Sequence, residues 1–255
     1  MRFIRYEKEK GKSQVGWVQD HMVGPVHGDI FQEFQRGEAT TALSSVLLLP
    51  PLVPGKIICV GRNYAAHAQE HGADIPEIPL LFLKPPSSVI GPDDYIELPP
   101  QSKQVEHEAE LAVVIGQRGY WITPEEAFKH IFGYTIANDI TARDLQRRDG
   151  QWTRAKGFDT FCPVGPWIET DFDPADAIIT CHVNGEMRQM ASTRDMIFTI
   201  RQLIAFASSI MTLEPGDLFL TGTPAGVSPI LPGDVVETKI DGIGSLVNPV
   251  TVRSS

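Results

Sequence analysis

Three acidic side chains occupy alternate positions in VEHEAELAVVIG, residues 105–116. Successive side chains of a β-strand point to opposite faces, so Glu106, Glu108 and Glu110 are predicted to share one face. Residues 111–115 are all apolar and would continue the strand into the core. Carboxylates at such a position are costly unless they are paired or bind a metal ion, and a divalent cation would also relieve their repulsion. A solvated edge strand is the simpler alternative.

A further carboxylate, Asp139, ends the segment GYTIAND, residues 133–139. Aspartate at a junction between a strand and a helix is commonly a helix N-cap. Asp139 could instead be a third oxygen ligand beside Glu108 and Glu110. A set made only of carboxylates favours a hard cation, Mg²⁺ or Mn²⁺, over Zn²⁺. The residues alone leave both alternatives open.

A possible general base lies in VGRNYAAHAQEHG, residues 60–72. His67 and Glu70 are spaced i, i+3, so on a helix they would be neighbours on one face. A carboxylate beside a histidine orients the ring and makes it a better base. A solvated surface pair is the alternative.

Two polar side chains occur in otherwise apolar or tightly turning segments. Lys156 lies in QWTRAKGFDTFCPVGPWI, residues 151–168, where it could pair with Asp159 or supply the positive charge that an anionic substrate needs. Thr223 lies in a Gly/Pro turn after the apolar residues 218–220. Its hydroxyl and the nearby backbone N–H groups could bind a carboxylate, although an ordinary turn would look the same.

The elements that must position these residues are predominantly strands. Short apolar runs are separated by most of the 22 glycines and 20 prolines, which predicts a mostly-β (α+β) sandwich or barrel with peripheral helices. Either Asp195 or Thr199 is expected to cap the last helix. The predicted helices are 65–72, 123–129, 142–148 and 198–208.

The first 50 residues are β-rich, and a proline-punctuated linker over 47–54 follows them. We therefore predict a small N-terminal β-domain over 1–50 and a larger domain over 55–255, which the resemblance described below identifies as the catalytic domain.

Composition narrows the function classes. The net charge of −10 argues against nucleic acid as a partner. Three cysteines without a C-x-x-C motif fit a reducing compartment. No run approaches the ~18 consecutive apolar residues of a membrane span, and no hydrophobic signal region is evident. A cytoplasmic protein with no membrane partner is expected.

Six segments of the sequence together resemble the fumarylacetoacetate hydrolase family. Each is weak alone, but they occur in the family's order over roughly residues 56–230. They are VGRNYAAHAQE, FLKPPSSVIG, EHEAELAVVIG, GYTIANDITARDLQ, QWTRAKGFDTFCPVGPWI and LTGTPAGV.

This resemblance implies the family's mixed β-sandwich or roll with peripheral helices, usually dimeric, and an N-terminal β-domain like that of bacterial members. It implies Mg²⁺ or Mn²⁺ as cofactor and a lid over residues 62–79 that we expect to be mobile. We assign the residues as follows: metal ligands Glu108, Glu110 and Asp139; catalytic residues His67, Glu70 and Lys156; substrate-binding residues Arg62, Tyr64, Gln151 and Thr223.

Two positions depart from the family pattern. His107 replaces the aromatic residue that often precedes the first ligand, and we expect it to point away from the ligands. Ala155 replaces the glycine that often precedes the lysine, which bears on the substrate contacts around Lys156.

The implied chemistry uses the cation to neutralise the charge of a pyruvate enolate. We expect hydrolysis of a C–C bond in a 2,4-dioxo acid of the acylpyruvate or fumarylpyruvate type. His67, oriented by Glu70, would activate the water, while Lys156 and Thr223 would bind the small anionic 2-oxo acid. The alternatives are oxaloacetate decarboxylation or tautomerisation, and isomerisation or decarboxylation of 2-hydroxyhepta-2,4-diene-1,7-dioate in aromatic catabolism. A non-catalytic ligand-binding protein is a remote alternative.

Overall fold

The apolar runs form strands that are joined by short turns. The structure is a computed structural model, and it describes residues 1–70, 72 and 74–253. Within these residues the strands are β1 (Arg2–Glu7), β2 (Ser13–Gln19), β3 (Met22–Gly28), β4 (Phe34–Arg36), β5 (Thr41–Ala42), β6 (Leu47–Leu49), β7 (Ile57–Gly61), β8 (Leu80–Lys84), β9 (Val89–Ile90), β10 (Ile96–Leu98), β11 (Val105–Glu106), β12 (Ala109–Ile115), β13 (Ile131–Asn138), β14 (Thr141–Ala142), β15 (Cys162–Glu169), β16 (Ile178–Val183), β17 (Glu186–Ser192), β18 (Leu218–Leu220), β19 (Val235–Ile240) and β20 (Gly244–Val252).

The α-helices are α1 (Ala65–Glu70), α2 (Arg143–Asp149), α3 (Thr153–Lys156) and α4 (Ile200–Ile210). Single 3₁₀ turns lie at Leu43–Ser45, Pro86–Ser88, Ala127–His130 and Thr193–Asp195.

A large sheet carries β12 in its interior. Its strand order is β4-β3-β2-β1-β15-β13-β12-β18-β7-β8, with β5, β6 and β9 paired off this path. Strand β12 is antiparallel to both β13 and β18, and all seven of its residues are buried. Burial on both faces explains why residues 111–115 are uniformly apolar instead of alternating.

A second sheet, of order β10-β20-β19-β16-β17, packs against the first. The main apolar cluster joins residues of both sheets, including Val113 and Ile136 of the large sheet and Ile179 and Leu246 of the smaller one. Leu203 of α4 belongs to the same cluster. The prediction of a mostly-β fold with peripheral helices is therefore confirmed.

The N-terminal strands extend the large sheet. Strand β1 pairs with β15, with Arg2 opposite Glu169 and Phe3 opposite Ile168. Arg2 Nε donates to Glu169 Oε2 at 3.0 Å, which reinforces this pairing. The division into units 1–50 and 55–255 stays a prediction.

Three of the four predicted helices form. Helices α2 and α4 each lie within two residues of the predicted bounds, and Thr199 is the N-cap of α4, with its side chain accepting from Gln202 N–H. Helix α1 covers 65–70, and residue 71 lies outside the described residues. The prediction over 123–129 is wrong, because i→i+3 hydrogen bonds form turns there and a 3₁₀ turn leads directly into β13. The short helix α3 was not predicted.

The predicted strand over 105–116 is interrupted after Glu106. Strand β11 pairs with β14, while β12 begins at Ala109 and pairs with β13. The backbone N–H of Glu108 donates to the Asn138 side chain at 2.8 Å instead of to a neighbouring strand. The break allows the chain to enter two different sheets on either side of residues 107–108.

Across residues 1–70, 72 and 74–253, the structure contains no helix long and apolar enough to cross a membrane.

The central position of β12 makes its apolar residues critical for stability. Leu111 is fully buried, so Leu111→Ala is expected to lower the free energy of unfolding by about 2–5 kcal/mol, through lost burial and a residual cavity. Leu231→Ala is the control, because Leu231 is 63% exposed, and its effect should stay within about 0.5 kcal/mol. Urea unfolding of both variants measures the difference, and equal effects would contradict the buried position of Leu111.

Candidate active site

A polar cavity of about 300 Å³ lies where several chain segments converge. It is bounded by the end of β7 and helix α1, by β8, by the start of β12 and the end of β13, by α2 and α3, and by the turn after β18. The lining residues are Val60, Gly61, Arg62, His67, Glu70, Phe82, Glu108, Glu110, Asp139, Arg143, Gln146, Arg147, Trp152, Lys156 and Thr223.

Three carboxylates in this cavity could hold a metal ion. Glu108, Glu110 and Asp139 each offer an oxygen, and these atoms all lie within 4.8 Å of one another. All three side chains are buried. A buried set of carboxylate oxygens fits Mg²⁺ or Mn²⁺ better than a thiolate-preferring or imidazole-preferring ion.

Buried cations hold two of these carboxylates in place. Lys156 Nζ donates to Glu108 Oε2 at 2.7 Å and to Asp139 Oδ2 at 2.6 Å. Arg143 donates to the other oxygen of Glu108, and Lys84 Nζ donates to Asp139 Oδ1 at 2.7 Å. A carboxylate oxygen has two lone pairs, so these contacts orient the ligands and still leave capacity for a cation.

The electrostatic environments of the two glutamates differ. Burial opposes ionisation of Glu108, but Lys156 and Arg143 outweigh it and hold the pKa of Glu108 below its usual range. Burial and the negative charges of Asp139 and Glu108 raise the pKa of Glu110 well above its usual range.

The backbone around Gly222 supports Glu110. Gly222 N–H donates to Glu110 Oε2 at 2.6 Å. Gly222 has a φ of +98°, and a Cβ atom there would lie 2.7 Å from Cβ of Asn63. Only glycine combines this conformation with so close a backbone approach.

Lys156 does not pair with Asp159. Its ammonium contacts Glu108 and Asp139 inside the cavity, whereas Asp159 accepts from Arg253 at the surface, 3.0 Å away. Burial lowers the pKa of Lys156, but the charges of Asp139 and Glu108 outweigh it and leave that pKa raised. Asp139 is also not a helix cap, because the N-cap of α2 is Ala142, which makes no side-chain capping bond.

Helix α1 brings His67 and Glu70 to the cavity. His67 Nδ1 lies 3.6 Å from Glu70 Oε2, and both Glu70 oxygens accept from Gly226 N–H at 3.2 Å. His67 is 6% exposed. The imidazole is thus held at the cavity wall beside a carboxylate that is itself anchored.

The segment predicted as a lid is partly anchored. Tyr64 and Ala68, which belong to the predicted lid over residues 62–79, are buried. The Asn63 side chain also donates to Thr221 O at 2.8 Å and accepts from Phe198 N–H at 2.8 Å. Residues 71 and 73 lie outside the described residues, and mobility of the segment stays a prediction.

The residues assigned to substrate binding are not all brought together. Arg62 and Thr223 line the cavity, but Tyr64 and Gln151 are absent from its described lining. Tyr64 is buried beneath α1, and its hydroxyl has no hydrogen-bond partner among the described residues. Burial and the charges of Glu110 and Asp195 raise its pKa. Gln151 is exposed, so its role in substrate binding has no support from the geometry.

The contribution of α2 to the cavity was not predicted from the sequence. Arg143 and Gln146 both line the cavity, and Arg143 Nη1 donates to Gln146 Oε1 at 2.6 Å. Their i, i+3 spacing, beginning four residues after Asp139, was an available signal. For Lys84 no such signal exists, because nothing in FLKPPSSVIG indicates that its lysine is buried against Asp139.

A larger cavity lies elsewhere. A groove of about 810 Å³ is lined mainly by aromatic and aliphatic residues of β13, α4 and the segment after β15. Asp173 is the one carboxylate among its described lining residues. The smaller cavity concentrates the titratable groups and is the better candidate for chemistry.

Similarity to known proteins covers almost the whole chain. The family model described as fumarylacetoacetate hydrolase C-terminal matches residues 56–251, and the Rv2993c-like N-terminal model matches residues 1–51. The chain is 46% identical over 220 residues to the mitochondrial oxaloacetate tautomerase fahd2 of Xenopus laevis, covering 81% of this chain and 69% of that protein.

Two solved structures are similar over the full length of both chains. The 2-hydroxyhepta-2,4-diene-1,7-dioate isomerase from Mycobacterium marinum is 41% identical, with a TM-score of 0.92. The maleylpyruvate hydrolase from Sphingobium sp. SYK-6, in complex with manganese(II) and pyruvate, is 32% identical, with a TM-score of 0.82.

The raised pKa of Glu110 predicts pH-dependent metal binding. A cation binds the ionised carboxylate, so protons compete with it until the pH exceeds that pKa, and affinity should rise with pH. Release of one proton corresponds to about a tenfold gain per pH unit. Calorimetric titration with MnCl₂ at several pH values, in buffers of different ionisation enthalpy, measures both slope and proton release. Glu110→Gln should bind more weakly with a flatter slope, and an unchanged slope would assign the proton to another group.

Proposed function

The chain belongs to the fumarylacetoacetate hydrolase family, and from this membership and the cavity geometry we propose that it is a divalent-metal-dependent enzyme. Its substrates would be small 2-oxo acids that react through their enol or enolate form. The observation that carries this proposal is that one cavity holds both His67, next to Glu70, and the buried carboxylates Glu108, Glu110 and Asp139.

The charges around the cavity suit an anionic substrate once a cation is present. Four buried carboxylates, Glu106, Glu108, Glu110 and Asp139, lie among three buried cations. Their formal charges sum to −1, and a divalent ion changes this sum to +1. The cations are Lys84, Arg143 and Lys156. A Mg²⁺ or Mn²⁺ ion would supply positive charge beside the carboxylate and keto oxygens of a 2-oxo acid, where negative charge develops.

His67 is the proposed base. Its imidazole accepts the proton that leaves C3 of the 2-oxo acid, and the electron pair of that C–H bond forms the C2–C3 double bond. Return of a proton to the C2 oxygen gives the enol. Glu70 orients the ring, and the bond from Gly226 fixes Glu70. Lys156 and Arg143 keep Glu108 ionised throughout.

Tautomerisation of oxaloacetate is the first candidate reaction. The fahd2 protein, 46% identical to this chain, carries the name oxaloacetate tautomerase. Such a reaction needs one base to move a proton between carbon and oxygen, which His67 provides.

Hydrolysis of a C–C bond in a 2,4-dioxo acid is the second candidate, and the His67–Glu70 pair favours it. Here His67 removes a proton from water, and the water oxygen attacks the C4 carbonyl. The C3–C4 bond then breaks, and the acyl portion, which now carries the water oxygen, leaves as a carboxylic acid. The electrons of that bond remain on the pyruvate portion as an enolate, and protonation at C3 gives pyruvate. The structural relative bound to manganese and pyruvate is named a maleylpyruvate hydrolase.

A homodimer and a cytoplasmic location stay predictions beside this proposal.

The shared base and metal ligands make the proposal testable in one set of variants. His67→Ala should lower the rates of oxaloacetate tautomerisation and acetylpyruvate hydrolysis by about 10²–10⁴-fold, and Mn²⁺ binding should persist. Glu108→Ala should abolish both activities and weaken Mn²⁺ binding. Absorbance of the oxaloacetate enol and formation of pyruvate follow the two reactions. His27→Ala, which changes an exposed histidine outside the cavity, is the control.

The wild-type enzyme decides between the two reactions. Turnover of oxaloacetate tautomers without pyruvate release from any 2,4-dioxo acid supports the tautomerase, and the opposite pattern supports the hydrolase. Absence of both activities with Mg²⁺ and with Mn²⁺ would contradict the proposed function.

A further inference from the structure

Glu70, which orients the proposed base, is held by one backbone group of a loop. Both of its carboxylate oxygens accept from Gly226 N–H at 3.2 Å, and its Oε2 lies 3.6 Å from His67 Nδ1. Glu70 is the last residue of α1, which spans six residues, and so short a helix is marginal without contacts to other elements. The position of the loop that carries Gly226 therefore bears on the position of this carboxylate.

That loop, residues 223–228 (TPAGVS), lies tightly on strand β17. Gly226 has a φ of +98°, and a Cβ atom there would overlap with the backbone oxygen of Arg188. Only glycine combines this conformation with so close a backbone approach. Next to Arg188, the Gln189 side chain donates through Nε2 to Pro224 O at 2.7 Å. Strand β17 therefore sets where the loop presents the Gly226 N–H group.

The orientation of the Gln189 amide follows from two backbone partners whose roles cannot change. Ala109 N–H is a donor and contacts Gln189 Oε1 at 3.1 Å. The carbonyl oxygen of Pro224 is an acceptor and contacts Gln189 Nε2. Gln189 is 1% exposed, and a flipped amide would lose both bonds. The amide thus bridges the start of β12 and the loop in one orientation.

His107 fixes the other end of the same loop. Its Nδ1 lies 3.0 Å from Gln189 Oε1, an atom that can only accept, so Nδ1 carries the proton. Its Nε2 then accepts from Ser228 Oγ at 2.9 Å. His107 is fully buried and is absent from the described lining of the cavity. Its hydrogen bonds therefore join the loop to Gln189 from outside the cavity.

We propose that Gln189 and His107 are positioning residues for the proton transfer. They fix the loop, Gly226 N–H in the loop fixes Glu70, and Glu70 orients His67. The inference rests on the proposed function, in which His67 is the base. A displacement of about 1 Å can lower a rate about 100-fold, so two residues outside the described cavity lining can set the rate.

A second route from Gln189 to the rate runs through the metal ligands. Ala109, whose N–H group Gln189 accepts, lies between Glu108 and Glu110 in the sequence. An effect by this route does not depend on Glu70. A double-mutant cycle separates the two routes, because it measures whether the effect of one substitution depends on another.

The first experiment is the cycle of Gln189→Met with Glu70→Ala, on the Mg²⁺-loaded full chain. Methionine keeps the length of the side chain and removes its bonds to the loop. Gln189→Met should lower kcat about 10- to 100-fold and leave KM within about twofold, for oxaloacetate tautomerisation or acetylpyruvate hydrolysis, whichever the wild type catalyses. In the Glu70→Ala background it should have no further effect. A role that is only structural, or one through the metal ligands, would lower kcat by the same factor in both backgrounds.

The second experiment needs no turnover. Exchange of the Gly226 amide proton, followed by NMR, reports how often its bond to Glu70 opens. Gln189→Met and Glu70→Ala should each speed this exchange about 5- to 10-fold, as expected for one lost hydrogen bond. His107→Phe should have the same effects on exchange and on kcat at a smaller size, because the backbone partners of the Gln189 amide remain. This variant keeps both experiments decisive if Gln189→Met does not fold.

Asn248→Leu is the matched control. Asn248 is 2% exposed, and its side-chain amide also donates to two loop carbonyls, Gly91 O and Asp94 O, both at 2.9 Å. It is absent from the described lining of the cavity. Its substitution should cost similar stability and change neither kcat nor the exchange of Gly226.

Two results would overturn the inference alone: unchanged exchange of Gly226 in both Gln189→Met and His107→Phe, or an equal loss of kcat in both backgrounds of the cycle. If the wild type turns over neither substrate with Mg²⁺ or Mn²⁺, the proposed function fails, and the role in proton transfer fails with it. Faster exchange in Gln189→Met would then still show that Gln189 holds the contact between Gly226 and Glu70.

Discussion

Compensation of buried negative charge is the constraint on which the rest of the site depends. Glu108, Glu110 and Asp139 lie in the interior, where unpaired carboxylates would be strongly destabilising. Ion pairs offset this destabilisation: Lys84 of β8 pairs with Asp139, and Lys156 of α3 pairs with both Glu108 and Asp139. Among the described residues, the hydrogen bond that Glu110 accepts comes from a backbone N–H, and its pKa is raised. It is the least compensated ligand and gains most from a cation.

The interruption of the acidic strand between Glu106 and Ala109 contributes to the position of these carboxylates. A continuous strand over 105–116 would give all its backbone groups to neighbouring strands. Instead, side chains satisfy the backbone at the start of β12: Asn138 for Glu108, and Gln189 with Thr223 for Ala109. Because side chains replace a neighbouring strand here, Glu108 and Glu110 at the start of β12 can line the cavity.

The candidate reactions differ in what His67 deprotonates, and they share the charge that must be stabilised. Enolisation removes a proton from carbon, whereas C–C hydrolysis removes one from water, and both leave an enolate oxygen. One cavity can therefore support either reaction among relatives named as a tautomerase, an isomerase and a hydrolase. Arg62 and Arg147 are the exposed arginines among the described lining residues of this cavity.

The sequence by itself determined the mostly-β class, the metal-ligand candidates and the His67–Glu70 spacing, because these follow from local periodicity and short motifs. Only the tertiary structure decided which distant groups meet: Lys84 and Arg143 against the ligands, Lys156 with Asp139 instead of Asp159, and Gln189 behind Thr223. Local patterns also could not show the 3₁₀ turn at Ala127–His130 or the exposure of Gln151. Partners 17 to 55 residues apart are chosen by sheet topology and by the cost of leaving a buried charge or carbonyl unpaired, which no local pattern encodes.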